Sequence, residues 1–229
     1  MQYPYEIAGK SASSALQQNR VLRNTYALLA LSMIPTVLGA VIGVKFGFSL
    51  FSGSPLLSFL LFLGVAFGFM WGIQRNKDNG LGVSLLLGFT FFMGLMLSRM
   101  LGFALGYSNG AMLIAMAGTG TGAIFFTLAG IATVTKKDFS SLSKFLFVGL
   151  VVILLASVAN IFFQVPALAL TISAVSVMLF SAFILVDVSR IVTGGETNYI
   201  MATLAIYLDV YNLFVSLLNL LMAFTGERD

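Results

Sequence analysis

The sequence predicts an all-α, polytopic membrane protein: a seven-transmembrane-helix bundle with its N-terminus in the cytoplasm and its C-terminus outside. Three observations carry that expectation. Only 9% of the 229 residues are charged while 59% are hydrophobic, and a water-soluble surface cannot be covered with so few charges, given about 25% in an ordinary domain. Mean hydropathy is +1.02, so the solvent of most of the surface is lipid. Lysine and arginine also alternate between successive loops, as they do when each apolar run crosses a bilayer.

Each run is long enough to span, since about 20 apolar residues at helical rise cross roughly 30 Å of hydrocarbon. The first is 25–44, ended by Lys45, and the second is 55–73, closed by Gln-Arg-Asn-Lys-Asp-Asn-Gly. The third, 81–98, is followed by Arg99 and a Gly-Tyr-Ser-Asn-Gly turn. The fourth, 111–134, ends at Thr-Lys-Lys-Asp. The uncharged stretch 145–186 is too long for one crossing. Gln164-Val165-Pro166 divides it, because proline disfavours helix in the residue before it, giving spans 145–164 and 167–190. The seventh is 199–224, interrupted by Asp209. Residues 25–229 thus form one transmembrane domain. Residues 1–24, rich in Gln, Ser and Asn, are expected to be an unfolded cytoplasmic tail; they have no signal-peptide pattern.

Orientation follows from the basic residues. Lys10, Arg20, Arg23, Arg75, Lys77, Lys136, Lys137, Lys144 and Arg190 fall on one side, and Lys45, Arg99 and Arg228 on the other. The richer side is the cytoplasm.

Composition also excludes chemistry. With no cysteine and no histidine, disulfides, thiol nucleophiles, Cys/His metal sites and a Ser-His dyad are absent. No basic stripe with interleaved aromatics serves nucleic acid. Gly118-Thr-Gly-Thr-Gly122 lacks the Lys-Ser/Thr of a phosphate-binding loop and sits in an apolar run. With Gly39/Gly43/Gly47 and Gly64/Gly68/Gly72, it reads instead as a small-residue face for close helix packing in lipid. Pro166-Ala-Leu precedes both intramembrane aspartates and neither lies in a Gly-x-Gly-Asp context, so an intramembrane aspartyl protease is not expected. The chain is read as no enzyme, with no cofactor. Without repeat symmetry or a set of polar midplane residues, a substrate transporter is disfavoured too.

The candidate site is a pair of carboxylates. A charged side chain at a helix centre costs about 2.5–3.5 kcal/mol on insertion scales, so it faces the bundle interior and marks function. Asp187 lies three residues before Arg190, within reach of an i,i+3 pair. Asp209 lies about 16 Å into the last helix at helical rise, whereas an ideal hairpin would leave Asp187 only about 7 Å deep. Level contact therefore does not follow from spacing. If the two do meet, they would titrate in coupled steps, forming a proton-operated latch. When ionised, Asp187 and Asp209 would be a weak oxygen-ligand site for a hard cation such as Ca²⁺. Arg190, Asn160 and Asn212 are the supporting polar groups, the two asparagines as partners for Asp209. Tyr207, Tyr211 and Phe214 are expected to pack.

The segments Asp187-x-x-Arg-Ile-Val-x-Gly-Gly-Glu-x-Asn-Tyr-Ile and Ala-x-Tyr-Leu-Asp209-x-x-Asn-Leu-Phe closely resemble the C-terminal signature of the transmembrane Bax-inhibitor motif family. Arg20-Val-Leu-Arg-Asn-Thr-Tyr26 and Asn160-Ile-Phe-Phe-Gln-Val-Pro-Ala-Leu168 resemble its bacterial YccA branch. The resemblance covers residues 20 to 224. It implies a protein of the bacterial inner membrane that associates with and modulates the FtsH protease, engaged through the N-terminal segment. It also implies an alternative, a pH-sensitive Ca²⁺ leak gated by aspartates at the positions of Asp187 and Asp209, Ca²⁺ being the permeant ion. The gated members carry an arginine on the second helix against that pair, and 55–73 has none.

Overall fold

The computed structural model describes residues 4–48 and 55–226. The chain folds as α1 (Pro4–Phe46), α2 (Pro55–Arg75), α3 (Gly80–Ala104), α4 (Gly110–Thr135), a 3-10 turn at Ser140–Leu142, α5 (Ser143–Phe163), α6 (Pro166–Val192) and α7 (Tyr199–Thr225). Seven helices are long and apolar enough to cross a membrane. This is the expected all-α bundle, and the division at Gln164-Val165-Pro166 is where the sequence puts it. Gln164 closes α5 in the left-handed conformation at φ 49°, and Pro166 opens α6, where its missing N–H is no loss.

One boundary differs. The segment expected as an unfolded tail is helical from Pro4 and runs without interruption into the first span. Helix nucleation is the costly step and propagation the cheap one. A span anchored in the bundle therefore extends readily through Ala, Leu, Gln and Arg, all strong helix formers. Val21 and Thr25 are already buried, so this end of α1 belongs to the packed bundle.

Crossings alternate in direction, and polar contacts between connections mark the two ends. At one end, Asn198 Nδ2 donates to the Lys77 carbonyl and to Asp78 Oδ1, each at 2.9 Å. Ser189 Oγ donates to the Lys137 carbonyl and accepts the Phe139 N–H, and Gln18 packs against Gly194. At the other end, Asn109 Nδ2 donates to the Thr225 carbonyl at 2.7 Å. Arg20, Arg23, Arg75, Lys77, Lys136, Lys137, Lys144 and Arg190 share the first end, hereafter the basic end, and Lys45 and Arg99 the second. The side chain of Lys10 and all of Arg228 lie outside the described residues.

The most extensive interface joins α1 to α3, followed by α6 to α7. Gly94 makes the first possible: a Cβ there would run into the Thr36 carbonyl, and one on Gly39 into the Phe91 carbonyl. Backbones this close gain dispersion contacts that lipid cannot match. The other glycine repeats do not behave as the sequence suggested. Positions 64, 68, 118 and 122 face open space, and of the 64/68/72 trio only Gly72 nears a neighbour, Leu85. Spacing puts small residues on one face; it does not say whether a partner helix covers that face.

Several buried hydroxyls are satisfied within their own helices. Ser32, Thr36, Thr121 and Ser173 donate to carbonyls three or four residues back, as a medium without water requires. Tyr207, fully buried at the centre, shares a 2.9 Å hydrogen bond with Thr36 Oγ1 and tethers α7 to α1. At the periphery α2 and α5 expose Phe67, Trp71, Phe145, Phe147 and Leu155, which lipid, not water, solvates.

Gly94→Ala is expected to destabilise the purified protein in detergent by about 1–3 kcal/mol, the usual range for overpacking. Gly64→Ala should leave the melting temperature unchanged. Equal melting of the two variants would contradict the α1–α3 close approach.

Candidate functional site

Asp187 lies five residues before the end of α6 and Asp209 ten residues after the start of α7, about 7 and 15 Å along their axes at helical rise. Their carboxyl groups nonetheless meet in direct side-chain contact. Two features close the gap. The connection 193–198 carries the chain beyond the end of α6 before α7 begins. It turns at Gly194, whose φ of 82° suits glycine, and the Glu196 N–H returns to the Arg190 carbonyl at 3.0 Å. Asn198 then caps α7, accepting from the Ile200 and Met201 N–H groups while donating to Lys77 and Asp78. The α7 start is thereby fixed on the α2–α3 connection, further out than α6 ends. In addition, side chains lean toward the N-terminus of their own helix. In this antiparallel pair Asp187 leans inward and Asp209 outward, so they reach toward each other.

The two carboxyls differ in setting. Asp187 is 15% exposed and lies 3.7 Å from the guanidinium of Arg190, itself 45% exposed. Asp209 is 6% exposed, and its Oδ2 has no hydrogen-bond partner among the described residues. Two carboxyl groups in contact can share a hydrogen bond only when at least one of them carries a proton. Among the described residues no group of three acidic, His or Cys side chains forms a cation cage. Any cation here would complete its shell with hydroxyl, amide or water oxygens.

Both carboxyls line a cavity of about 1430 Å³ that follows α6 and α7 across most of the bundle. Lys144 and Arg190 stand at its basic end, and Arg99 and Phe103 near the other. Along α7 it is walled by Asp209, Asn212, Ser216 and Asn219, a polar stripe at i, i+3, i+7 and i+10 that forms one helical face. Opposite stand Ser173 and Ser176 of α6, with Asn219 Nδ2 donating to Ser173 Oγ at 2.7 Å. The sequence reading found no set of polar midplane residues; this stripe corrects it. Its spacing is visible in the sequence, but Asn212 and Ser216 also bond their own helix backbone, so spacing alone does not show that they line a cavity.

The supporting residues divide. Arg190 pairs with Asp187, as the i,i+3 spacing suggested. Asn212 is one turn from Asp209 but donates to the Leu208 carbonyl at 2.8 Å. Asn160 does not reach Asp209: its Oδ1 accepts the Val165 N–H at 2.9 Å and stabilises the α5–α6 turn at the far end. The structure places no arginine of α2 near the pair; Arg75 sits over the Trp71 ring. Tyr207 and Tyr211 pack, as expected, Tyr211 donating to the Met93 carbonyl at 3.2 Å, and Phe214 packs beside Leu218.

Residues 18–226 match the family model described as inhibitor of apoptosis-promoting Bax1. The chain belongs to the Bax-inhibitor family. Within that family it is 40% identical over 209 residues to the modulator of FtsH protease YccA of Escherichia coli K12, covering 91% of this chain and 92% of that one. A membrane protein of Vibrio cholerae is 39% identical over 224 residues, covering 96% and 97%. A protein of Neisseria meningitidis serogroup A is 39% identical over 214 residues, covering 93% and 94%. With its seven apolar helices, this Bax-inhibitor family member is a multi-pass protein of the bacterial inner membrane.

The natural absence of cysteine gives a clean background for testing the contact. Asp187→Cys combined with Asp209→Cys should be bridged by a short bifunctional thiol reagent in membranes, since carboxyl contact leaves the Cβ atoms further apart than a disulfide spans. Asp187→Cys with Asn219→Cys, set about 15 Å further along α7 at helical rise, should not. Failure of the first pair, or equal yield from the second, would contradict the geometry.

Proposed function

We propose that this protein binds an FtsH-type membrane protease and modulates its proteolysis of membrane substrates, without catalysing a reaction itself. The observation that carries the reading is the 40% identity, along 91% of the chain, with a modulator of FtsH protease. Charge supports the topology this needs. The basic end faces the cytoplasm under the positive-inside rule, which puts the start of α1 on that side and the end of α7 outside. There α1 forms a handle: Gln18 packs against Gly194 and Val21 is buried in the bundle, while residues 4–15 extend the helix N-terminal to these contacts.

The contact between Asp187 and Asp209 on a bundle-long cavity favours a second reading, a pH-sensitive cation leak with Ca²⁺ as the permeant ion. Protonation would hold the carboxyls together across α6 and α7. Loss of the proton would leave like charges in contact in a poor dielectric, a repulsion worth several kcal/mol at 4 Å even with an effective dielectric of 20, and would drive the helices apart. The two roles draw on different residues and are compatible.

The protease reading is tested by co-purification. Tagged protein should retain FtsH from its native membranes, and deletion of residues 2–14 should abolish or strongly reduce recovery; absence of FtsH from the intact protein's eluate would refute it. The leak reading is tested in liposomes, where Asp209→Asn should change Ca²⁺ flux and flatten its pH dependence. Identical flux profiles would rule that reading out.

A further inference from the structure

The cavity has an open side that neither role uses. Helix α5 packs on α6 and the preceding 3-10 turn, and makes no comparable interface with α3 or α7. Yet side chains of α3 and α5 both line the cavity, Met96 and Met100 from the first and Phe147 and Leu154 from the second. The space between these helices therefore opens sideways toward the surrounding hydrocarbon. The outward-facing residues of α5, Phe145, Val152 and Leu155, are exposed apolar groups, as for a helix bathed in lipid.

At the basic end this opening is cationic. Lys144 and Arg190 both line it and both are exposed. Lys144 has no salt bridge among the described residues, and Arg190 is held only by the 3.7 Å pair with Asp187. The first turn of α5 has no side-chain cap, and the positive end of its dipole adds to the same potential. Asp138 and Glu196 keep their charges but do not line the opening: Asp138 accepts the Ser140 N–H at 2.8 Å, which holds its carboxyl below the usual range, and Glu196 accepts the Asn198 N–H at 2.8 Å. Deeper in, Ser216 Oγ and one N–H each of Asn212 and Asn219 donate to protein oxygens.

We propose that this lateral groove seats one anionic phospholipid, its phosphate on Lys144 and Arg190 and an acyl chain in the space between α3 and α5. Charge complementarity selects the headgroup and the apolar α3 and α5 walls take the tail. A chain so placed also fills the far part of the cavity, leaving the carboxyl pair toward the basic end.

The test is native mass spectrometry of the full-length protein extracted from vesicles of equal phosphatidylglycerol and phosphatidylethanolamine. One phosphatidylglycerol per chain should be retained, in several-fold excess over phosphatidylethanolamine. Lys144→Gln should cut that excess several-fold without changing the melting temperature. Ser157→Trp, which fills the groove, should displace the lipid while leaving Lys144 in place. Equal retention of the two lipids, indifference to Lys144→Gln, loss through Arg99→Gln instead, or displacement by inorganic phosphate alone would each overturn the proposal.

Discussion

Two carboxyl groups are held in contact inside an apolar bundle, where lipid supplies no water and the nearby cation, Arg190, pairs with Asp187. That constraint organises the C-terminal half of the protein. Asp187 and Asp209 meet only because α7 begins further out than α6 ends, and that offset depends on a few polar residues at the basic end. Gly194 turns the chain, Glu196 ties the connection back to α6, and Asn198 caps α7 while fastening it to Lys77 and Asp78. A one-turn shift of α7 would move Asp209 about 5.4 Å and leave its carboxyl without a partner in a greasy interior.

The rest of the bundle keeps that register rigid. Tyr207 and Tyr211, on the same helix as Asp209, reach across to Thr36 and to the Met93 carbonyl, pinning α7 to α1 and α3. Those two helices are themselves locked by the close approach at Gly39 and Gly94. One half of the molecule is thus glycine-sealed and hydrogen-bonded, while the other, where α5 leans on α6, leaves a cavity open at its side.

How much of this was legible beforehand depends on the physical range of each signal. Membrane spans are local and collective, so all seven were readable, as was the break at Pro166. The helical state of residues 4–24 was not, because composition reports whether a segment can bury apolar surface, not whether a neighbouring span will propagate helix into it. Gly39 and Gly43 pointed correctly to close packing. Positions 64, 68, 118 and 122 carried the same pattern with no partner, since a small-residue face is necessary for contact but not sufficient. Asn160 was offered as a partner for Asp209 although the crossing of α5 carries it to the far end; chemical type was considered there without depth. The carboxyl contact escaped the ideal-hairpin arithmetic because that arithmetic assumes both helices end level, and the residues that offset them lie in the connection.

The central claim is that Asp187 and Asp209 are one titrating unit, not two separate carboxyls. Infrared titration of the carboxyl bands in lipid, comparing the intact protein with Asp209→Asn, measures this most directly. If the groups touch, removing the charge of Asp209 must shift the pH at which Asp187 gains its proton. An Asp187 band that titrates at the same pH in both proteins would show that the carboxyls are independent and would contradict the account.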